Sequence, residues 1–211
     1  MDFSYPLILD LKNKPVLVVG AGLIAFQKCN ALLKAGAQIT LISPELNPIF
    51  RKIKSKLKWI KKKYDGRTLE PYYLVVAATN DSDCHRTLFV KARKQKKWIN
   101  VVDVPEFCNV IVPAQIQKGK ILLSISTGGQ APAFSGYLKK YFEPFVTNDL
   151  VKFAELLAKL RPQIKRQIHT IEGRKAFWMR LITKNNIKKV SSGKISLLLK
   201  EVKQWITSAS E

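Results

Sequence analysis

The chain opens on a short, nearly continuous apolar run, Pro15-Val16-Leu17-Val18-Val19, with no polar residue inside it. An uninterrupted Val-rich run of this length predicts a strand buried on both faces of a parallel sheet. Gly20-Ala21-Gly22 breaks the run, and Leu23 to Ala35 then carries apolar residues at helical spacing, with Gly36 placed to end the helix. Gln38 to Ser43 predicts a second strand, stopped by Pro44. Strand, glycine turn, helix and strand within about 30 residues make one βαβ unit. Tyr72 to Ala78 and Trp98 to Val102 predict two more buried strands. The polar turn Thr79-Asn80-Asp81 lies between them and starts a helix running to about Lys96. Val110 to Val112 and Ile121 to Ile125 predict two further strands, with a turn at Lys118-Gly119-Lys120. From Ala133 the pattern is helical, punctuated by Pro144, Pro162 and a late break at Ser191-Ser192-Gly193. The pattern predicts an α/β nucleotide domain, a short two-strand connector and an all-helical tail.

The glycine turn brings chemistry to this scaffold. Gly20-Ala21-Gly22-Leu23-Ile24-Ala25 matches G-x-G-x-x-G/A, after a strand and at the start of a helix. Gly20 allows the tight turn, Gly22 lets backbone N–H groups approach a pyrophosphate, and Ala25 lets helix and strand pack closely. The pyrophosphate would lie at the helix N-terminus. The bland reading is a glycine-rich turn that binds nothing. The end of the second strand offers Ser43-Pro44-Glu45, where an acidic residue usually meets the ribose. Ser43 could make a weaker hydrogen bond there. No arginine follows the strand to hold a 2′-phosphate, which favours NAD over NADP. Asp103 ends the Trp98–Val102 strand, and Thr79 and Asn80 end its neighbour. In open α/β sheets ligands bind outside these strand ends, so Asp103 reads either as a general base or as a turn-forming aspartate. Ser126-Thr127-Gly128-Gly129-Gln130-Ala131-Pro132 reads either as a set of N–H and O–H donors for carboxylates or as a flexible connector.

Charge changes the picture only in part. The formal net charge is +22, with 23 basic against 11 acidic residues up to position 150 and 14 against 4 beyond it. So even a spread raises the local concentration of anions without saying which. Arg51 to Lys63 holds eight basic residues in thirteen. This stretch reads as a solvated helix face followed by a lysine-guarded edge strand, Trp59 to Tyr64, or as a nucleic-acid patch. Three separated cysteines and two histidines argue against a disulfide framework and against a Cys/His metal cage, and the neighbours Cys84 and His85 read as structural or incidental. No stretch is long and apolar enough to span a membrane, and Met1 to Pro6 lacks a basic leader region, which leaves a cytoplasmic location as the expectation.

Val18-Val19-Gly20-Ala21-Gly22, Ala77-Ala78-Thr79-Asn80-Asp81, Asn100-Val101-Val102-Asp103 and Ser126 to Pro132 occur in the order seen in precorrin-2 dehydrogenases, including the dehydrogenase and ferrochelatase part of siroheme synthase. Leu160-Arg161, Lys165 to Gln167 and Gly173 to Trp178 resemble that family's helical domain, so the resemblance covers roughly residues 1–182. It implies a Rossmann-like parallel-sheet domain over 1–113 and a connector and dimerisation segment over 114–147. A helical domain over 148–211 follows, with an unassigned tail from about 183. The implied activity is NAD-dependent oxidation of precorrin-2 to sirohydrochlorin, with ferrous iron insertion as an open second step and iron as its substrate. A non-catalytic NAD-sensing module is the alternative. The resemblance implies Asp103 as the catalytic residue, and Gly20, Gly22, Leu23, Ile24, Ala25, Ser43, Pro44, Thr79, Asn80 and Val102 around the cofactor. It implies Ser126, Thr127, Gly128, Gly129 and Lys139 for the substrate, no resident metal, and a homodimer that binds neither nucleic acid nor membrane. Many relatives carry arginine where Gly136 stands, leaving Lys139 or Lys140 to meet that carboxylate as point charges. A substrate with eight carboxylates gives the basic surface a purpose, although +22 exceeds what one such substrate requires.

Overall fold

A computed structural model of the protein describes residues 5–208. Residues 1–4, where the leader was sought, and 209–211 lie outside the described residues. The chain divides into two units, one up to Val112 and the other from Pro113.

The first unit is a five-stranded parallel sheet. Its strands are β1 (Pro15–Val19), β2 (Gln38–Ser43), β3 (Lys58–Lys61), β4 (Leu74–Ala77) and β5 (Trp98–Val101), in the order β3-β2-β1-β4-β5. Helix α1 (Leu23–Lys34) links β1 to β2, and α2 (Ser82–Lys94) links β4 to β5. The run read as buried on both sides is so. Val16 and Val18 pack with Ile39, Leu41, Leu74 and Val76 against Ala25 and Cys29 of α1. Leu17 and Val19 pack with Ile42, Val75, Ile99 and Val101 against Leu88 and Ala92 of α2. The strand order reverses between β1 and β4, the switch point at which such sheets bind ligands. Gly36, at φ +80°, closes α1, its N–H donating to Leu33 O at 3.0 Å. Asp81 caps α2, its Oδ1 accepting from Cys84 N at 2.9 Å.

Two expectations in this unit fail for tertiary reasons. Arg51 to Lys56 forms two short 3-10 turns, Pro48–Lys52 and Lys54–Lys56, in place of a solvated helix. The basic run is partly tied down: Lys54 Nζ sits 5.0 Å from the Trp59 ring, and Lys62 pairs with Asp65. The edge strand begins one residue earlier than read and ends at Lys61. Val110 to Val112 is not a strand. Val110 is bound to β5 through Ile99 O and through Asn100 Nδ2, and Pro113 supplies no N–H to extend a ladder. Asn109 covers the outer edge of β5, its Oδ1 accepting from Ile99 N at 2.7 Å and its Nδ2 donating to Lys97 O at 2.9 Å.

The second unit starts with an antiparallel hairpin, β6 (Ala114–Lys118) and β7 (Ile121–Ile125), turning at the Gly119 position read from sequence. Five helices follow: α3 (Pro132–Phe142), α4 (Asn148–Gln167), α5 (Ile171–Leu181), α6 (Lys184–Ser191) and α7 (Ile195–Ser208). Threonine opens three of them. The hydroxyl oxygens of Thr147, Thr170 and Thr183 accept from Leu150 N, Gly173 N and Asn186 N, each satisfying a donor that the helix leaves free. Pro162 does not interrupt α4, which continues through it because Leu160 and Ile164 on either side are buried in the helical core.

The stretch beyond residue 182 belongs to that core, since Val190, Leu198, Val202 and Ile206 are buried with Phe153, Ile164 and Leu181. Leu198 is fully buried. Leu198→Ala is expected to destabilise the helical unit by about 2–5 kcal/mol, the usual cost of emptying such a site. Chemical denaturation checks this, and an effect under about 0.5 kcal/mol would show the tail to be peripheral.

Candidate functional site

Parallel strands deliver their carboxyl ends to one edge of the sheet. Gly20 follows β1, Ala78 and Thr79 follow β4, and Val102 and Asp103 follow β5. Since β1 neighbours β4 and β4 neighbours β5, the first and last of these ends lie about 10 Å apart laterally.

The turn after β1 rests on the turn after β4. Gly20 has φ +100°, and a Cβ there would lie 2.2 Å from Ala78 O and 2.9 Å from Thr79 N. Its own N–H donates to Ile42 O at 2.9 Å. Gly22 differs in every respect: its φ of −79° suits any residue, and a Cβ there meets nothing within 4 Å. No side chain caps α1 and no acidic residue lies in its first turn, so nothing in the helix itself answers the first-turn N–H groups or its positive end. Open room beside Gly22, under an uncapped helix start flanked by exposed Leu23 and Ile24 and by buried Ala25, fits a dinucleotide pyrophosphate.

The structure places the remaining expected cofactor residues unevenly. Thr79 lies against the glycine turn, and Asn80 follows it, exposed. Thr79 Oγ1 accepts from Asp81 N at 3.3 Å, and Thr79 O accepts from Nε2 of the buried His85 at 2.9 Å. His85 therefore braces the turn, a structural role for the histidine of the Cys84-His85 pair. Ser43 is only 3% exposed, and Trp59 Nε1 donates both to its carbonyl, at 3.1 Å, and to its hydroxyl, at 3.2 Å. Pro44 and Glu45 beyond it are exposed. The loop is fastened to the glycine turn by Asn47 N, which donates to Ala21 O at 3.2 Å.

At the β5 end, Val102 N donates to Ala77 O at 2.9 Å, and Asp103 follows, exposed and left-handed at φ +61°. Lys28, on α1, is half-buried among these groups. Burial lowers its pKa, and the opposing fields that reach it come from Asp103 and Cys108. The Asp103 turn thus lies near enough to the helix that follows the glycine turn for its charge to reach Lys28. Sequence reasoning missed Lys28, whose only signal is one cation on an otherwise apolar helix face.

In the second unit the segment after β7 is a built turn. Gly128 N donates to Ser126 Oγ, Gln130 N to Thr127 O and Ala131 N to Thr127 Oγ1, while Thr127 Oγ1 lies 3.0 Å from Ser135 Oγ. Gly128 and Gly129 are both left-handed, at φ +66° and +82°. Lys139, in the last turn of α3, is half-buried.

A family model described as "Putative NAD(P)-binding" matches residues 7–114, half of the chain, and one described as "Sirohaem synthase dimerisation region" matches residues 150–205. The chain belongs to the siroheme synthase N-terminal family. Among curated relatives, the siroheme synthase of Actinobacillus pleuropneumoniae serotype 3 is 34% identical over 188 residues, covering 88% of this chain and 39% of the relative. That of Blochmanniella floridana is 37% identical over 198 residues, covering 93% and 41%. The chain thus spans about two-fifths of the length of the siroheme synthases it matches. Among solved structures, "SirC, precorrin-2 dehydrogenase" shares the fold, with a TM-score of 0.77 at 24% identity over 95% of this chain and all of that one. The glycine turn, Thr79 and Asp103 fall within the NAD(P)-binding match, and most of α4, all of α5 and α6 and the greater part of α7 within the dimerisation-region match. No described helix is long and apolar enough to cross a membrane.

Proposed function

We propose that this chain is an NAD-dependent precorrin-2 dehydrogenase. Its supporting observation is the shared sheet edge: a glycine turn with open room for a pyrophosphate at one strand end, and an exposed carboxylate, Asp103, two strands away on the same edge.

The first-turn N–H groups of α1 hold the diphosphate, and Gly22 keeps their approach clear. Thr79 and Asn80 line the neighbouring strand end beside the nicotinamide ribose, and Val102 lies beyond them. With no basic residue at Ser43-Pro44-Glu45, NAD is favoured over NADP. NAD supplies the hydride acceptor. Dehydrogenation removes a hydride and a proton from precorrin-2, and Asp103 accepts the proton. Being exposed, it can pass that proton to water. Ser126, Thr127, Gly128, Gly129 and Lys139 are assigned to the substrate carboxylates, as donors in the turn after β7 and a cation on α3.

The working form is a homodimer. The dimerisation-region match supports it, as does a strip of exposed rings on α3 and the turn after it, Phe134, Tyr137, Tyr141 and Phe145, an apolar surface of the kind that marks protein contacts. Among the described residues no group of three or more His, Cys, Asp or Glu side chains is placed to hold a metal ion. Iron enters this account only as the substrate of a second step.

The test is to incubate the protein with precorrin-2 and either NAD or NADP, and to follow the absorption spectrum. The expected result is sirohydrochlorin with NAD and much slower formation with NADP. Ferrous iron added afterwards reports chelation by the appearance of the siroheme spectrum. No sirohydrochlorin with either nucleotide rejects the proposal.

Gly136 offers a separate check. It lies inside α3, and a Cβ there meets nothing within 4 Å. Gly136→Arg is therefore expected to fold, to gain about 0.5–1 kcal/mol from helix propensity, and to lower KM for precorrin-2 several-fold by adding a bidentate carboxylate partner. Thermal melts and steady-state kinetics measure both effects, and an unchanged or higher KM would remove α3 from the substrate site.

A further inference from the structure

The loop that carries Asp103 is pinched at its base by a thiol. Cys108 Sγ accepts from Val101 N at 3.1 Å, and its S–H lies within reach of Val101 O at 3.2 Å and Val104 O at 3.4 Å, donating to one at a time. Asn100 Nδ2 approaches the same sulfur at 3.8 Å while donating to Val110 O at 3.0 Å. Residues 101 and 104, on either side of Asp103, are thus both tied to one atom. Inside the loop, Val104 N donates to Val101 O at 3.4 Å and Cys108 N to Pro105 O at 3.1 Å.

Three features mark this knot as more than filling. Asp103 holds φ +61°, a left-handed conformation uncommon outside glycine, which aspartate tolerates better than most side chains and the bonds around it hold in place. Val101 N points away from the sheet and has the sulfur as its partner. Asn100, 7% exposed, spends its amide group on Val110 and the sulfur and leaves its Oδ1 buried without a partner, a cost accepted only where the arrangement is otherwise fixed.

We propose that Cys108 is a positioning residue for Asp103, its thiol closing the loop so that the carboxylate is fixed at the sheet edge. The inference rests on the reading of Asp103 as proton acceptor. Burial raises the Cys108 pKa, outweighing the hydrogen bond from Val101 N–H and the smaller pulls of Lys28 and Asn100, so the thiol keeps its proton and serves as acceptor and donor together. Serine can do the same with a shorter reach, whereas valine fills the space and can do neither.

The test compares Cys108→Val, Cys108→Ser and Asp103→Asn with the unmodified protein. Cys108→Val should lower kcat for precorrin-2 oxidation at least about tenfold, as small misplacements of a catalytic group do, with KM and the Kd for NAD within about twofold. Cys108→Ser should recover most of the loss. Cys108→Val with full kcat, or Cys108→Ser as slow as Cys108→Val, overturns the proposal. A fully active Asp103→Asn instead rejects the proton-acceptor reading. Should Cys108→Val fail to fold, amide hydrogen exchange in the unmodified protein decides. Val101 N–H should be protected like Ile99 N–H, and exchange at the rate of an exposed amide would show that the sulfur holds nothing.

Discussion

Replacing Asp103 with asparagine is expected to lower precorrin-2 turnover by about 10²–10⁴-fold, the range that a positioned proton acceptor supplies, and to leave the Kd for NAD within about twofold. Asparagine isolates the chemistry. It keeps the shape of the carboxylate and, like aspartate, tolerates the left-handed φ of +61° that this position requires. Asp103→Ala would mix the lost proton acceptor with backbone strain. Steady-state kinetics beside a calorimetric NAD titration separates the two effects. Turnover within about threefold of the unmodified protein would remove Asp103 from the reaction, and a parallel loss of NAD affinity would make it a binding group.

The second large effect divides the two glycines of the fingerprint. Gly20→Ala places a methyl group 2.2 Å from Ala78 O at a φ of +100°. Strain of about 1–3 kcal/mol and overpacking of about 1–3 kcal/mol together threaten much of the stability of a domain this size, typically about 5–15 kcal/mol. Gly22→Ala has neither problem, because its φ is ordinary and its surroundings are open. Its methyl group would occupy the room assigned to the pyrophosphate. Gly20→Ala is thus expected to melt many degrees lower, and Gly22→Ala to melt normally while losing NAD affinity at least about tenfold. Thermal melts and NAD titrations of the pair check both. Normal NAD binding by Gly22→Ala would place the cofactor elsewhere.

What could be read from the sequence was whatever depends on near neighbours. The Pro15–Val19 run, the glycine turn, α1 and β2 follow one another within a single βαβ unit, and each carries its own signal in apolar spacing or a glycine. The threonine caps at 147, 170 and 183 are equally local but carry little signal among so many polar residues. The failures involve distant partners. Ser43 meets Trp59, sixteen residues on, which donates to both its oxygens, a contact that no local pattern announces. Val110 to Val112 has strand-like composition, yet Ile99 and Asn100 bind Val110 as an edge cover. Lys28 comes near Asp103 only after the sheet forms, and Cys108 closes its loop through Val101 and Val104 by bonds that no periodicity announces. Pro162 looks like a helix end because proline costs a hydrogen bond, and only the core on both sides of it keeps α4 whole.

The central claim is that one sheet edge couples NAD to a tetrapyrrole through Asp103. It is tested most directly by a single-turnover reaction without oxygen, with the protein in excess over precorrin-2 and NAD saturating. The account predicts one NADH formed for each precorrin-2 converted to sirohydrochlorin. Tight NAD binding with no NADH formed would contradict it.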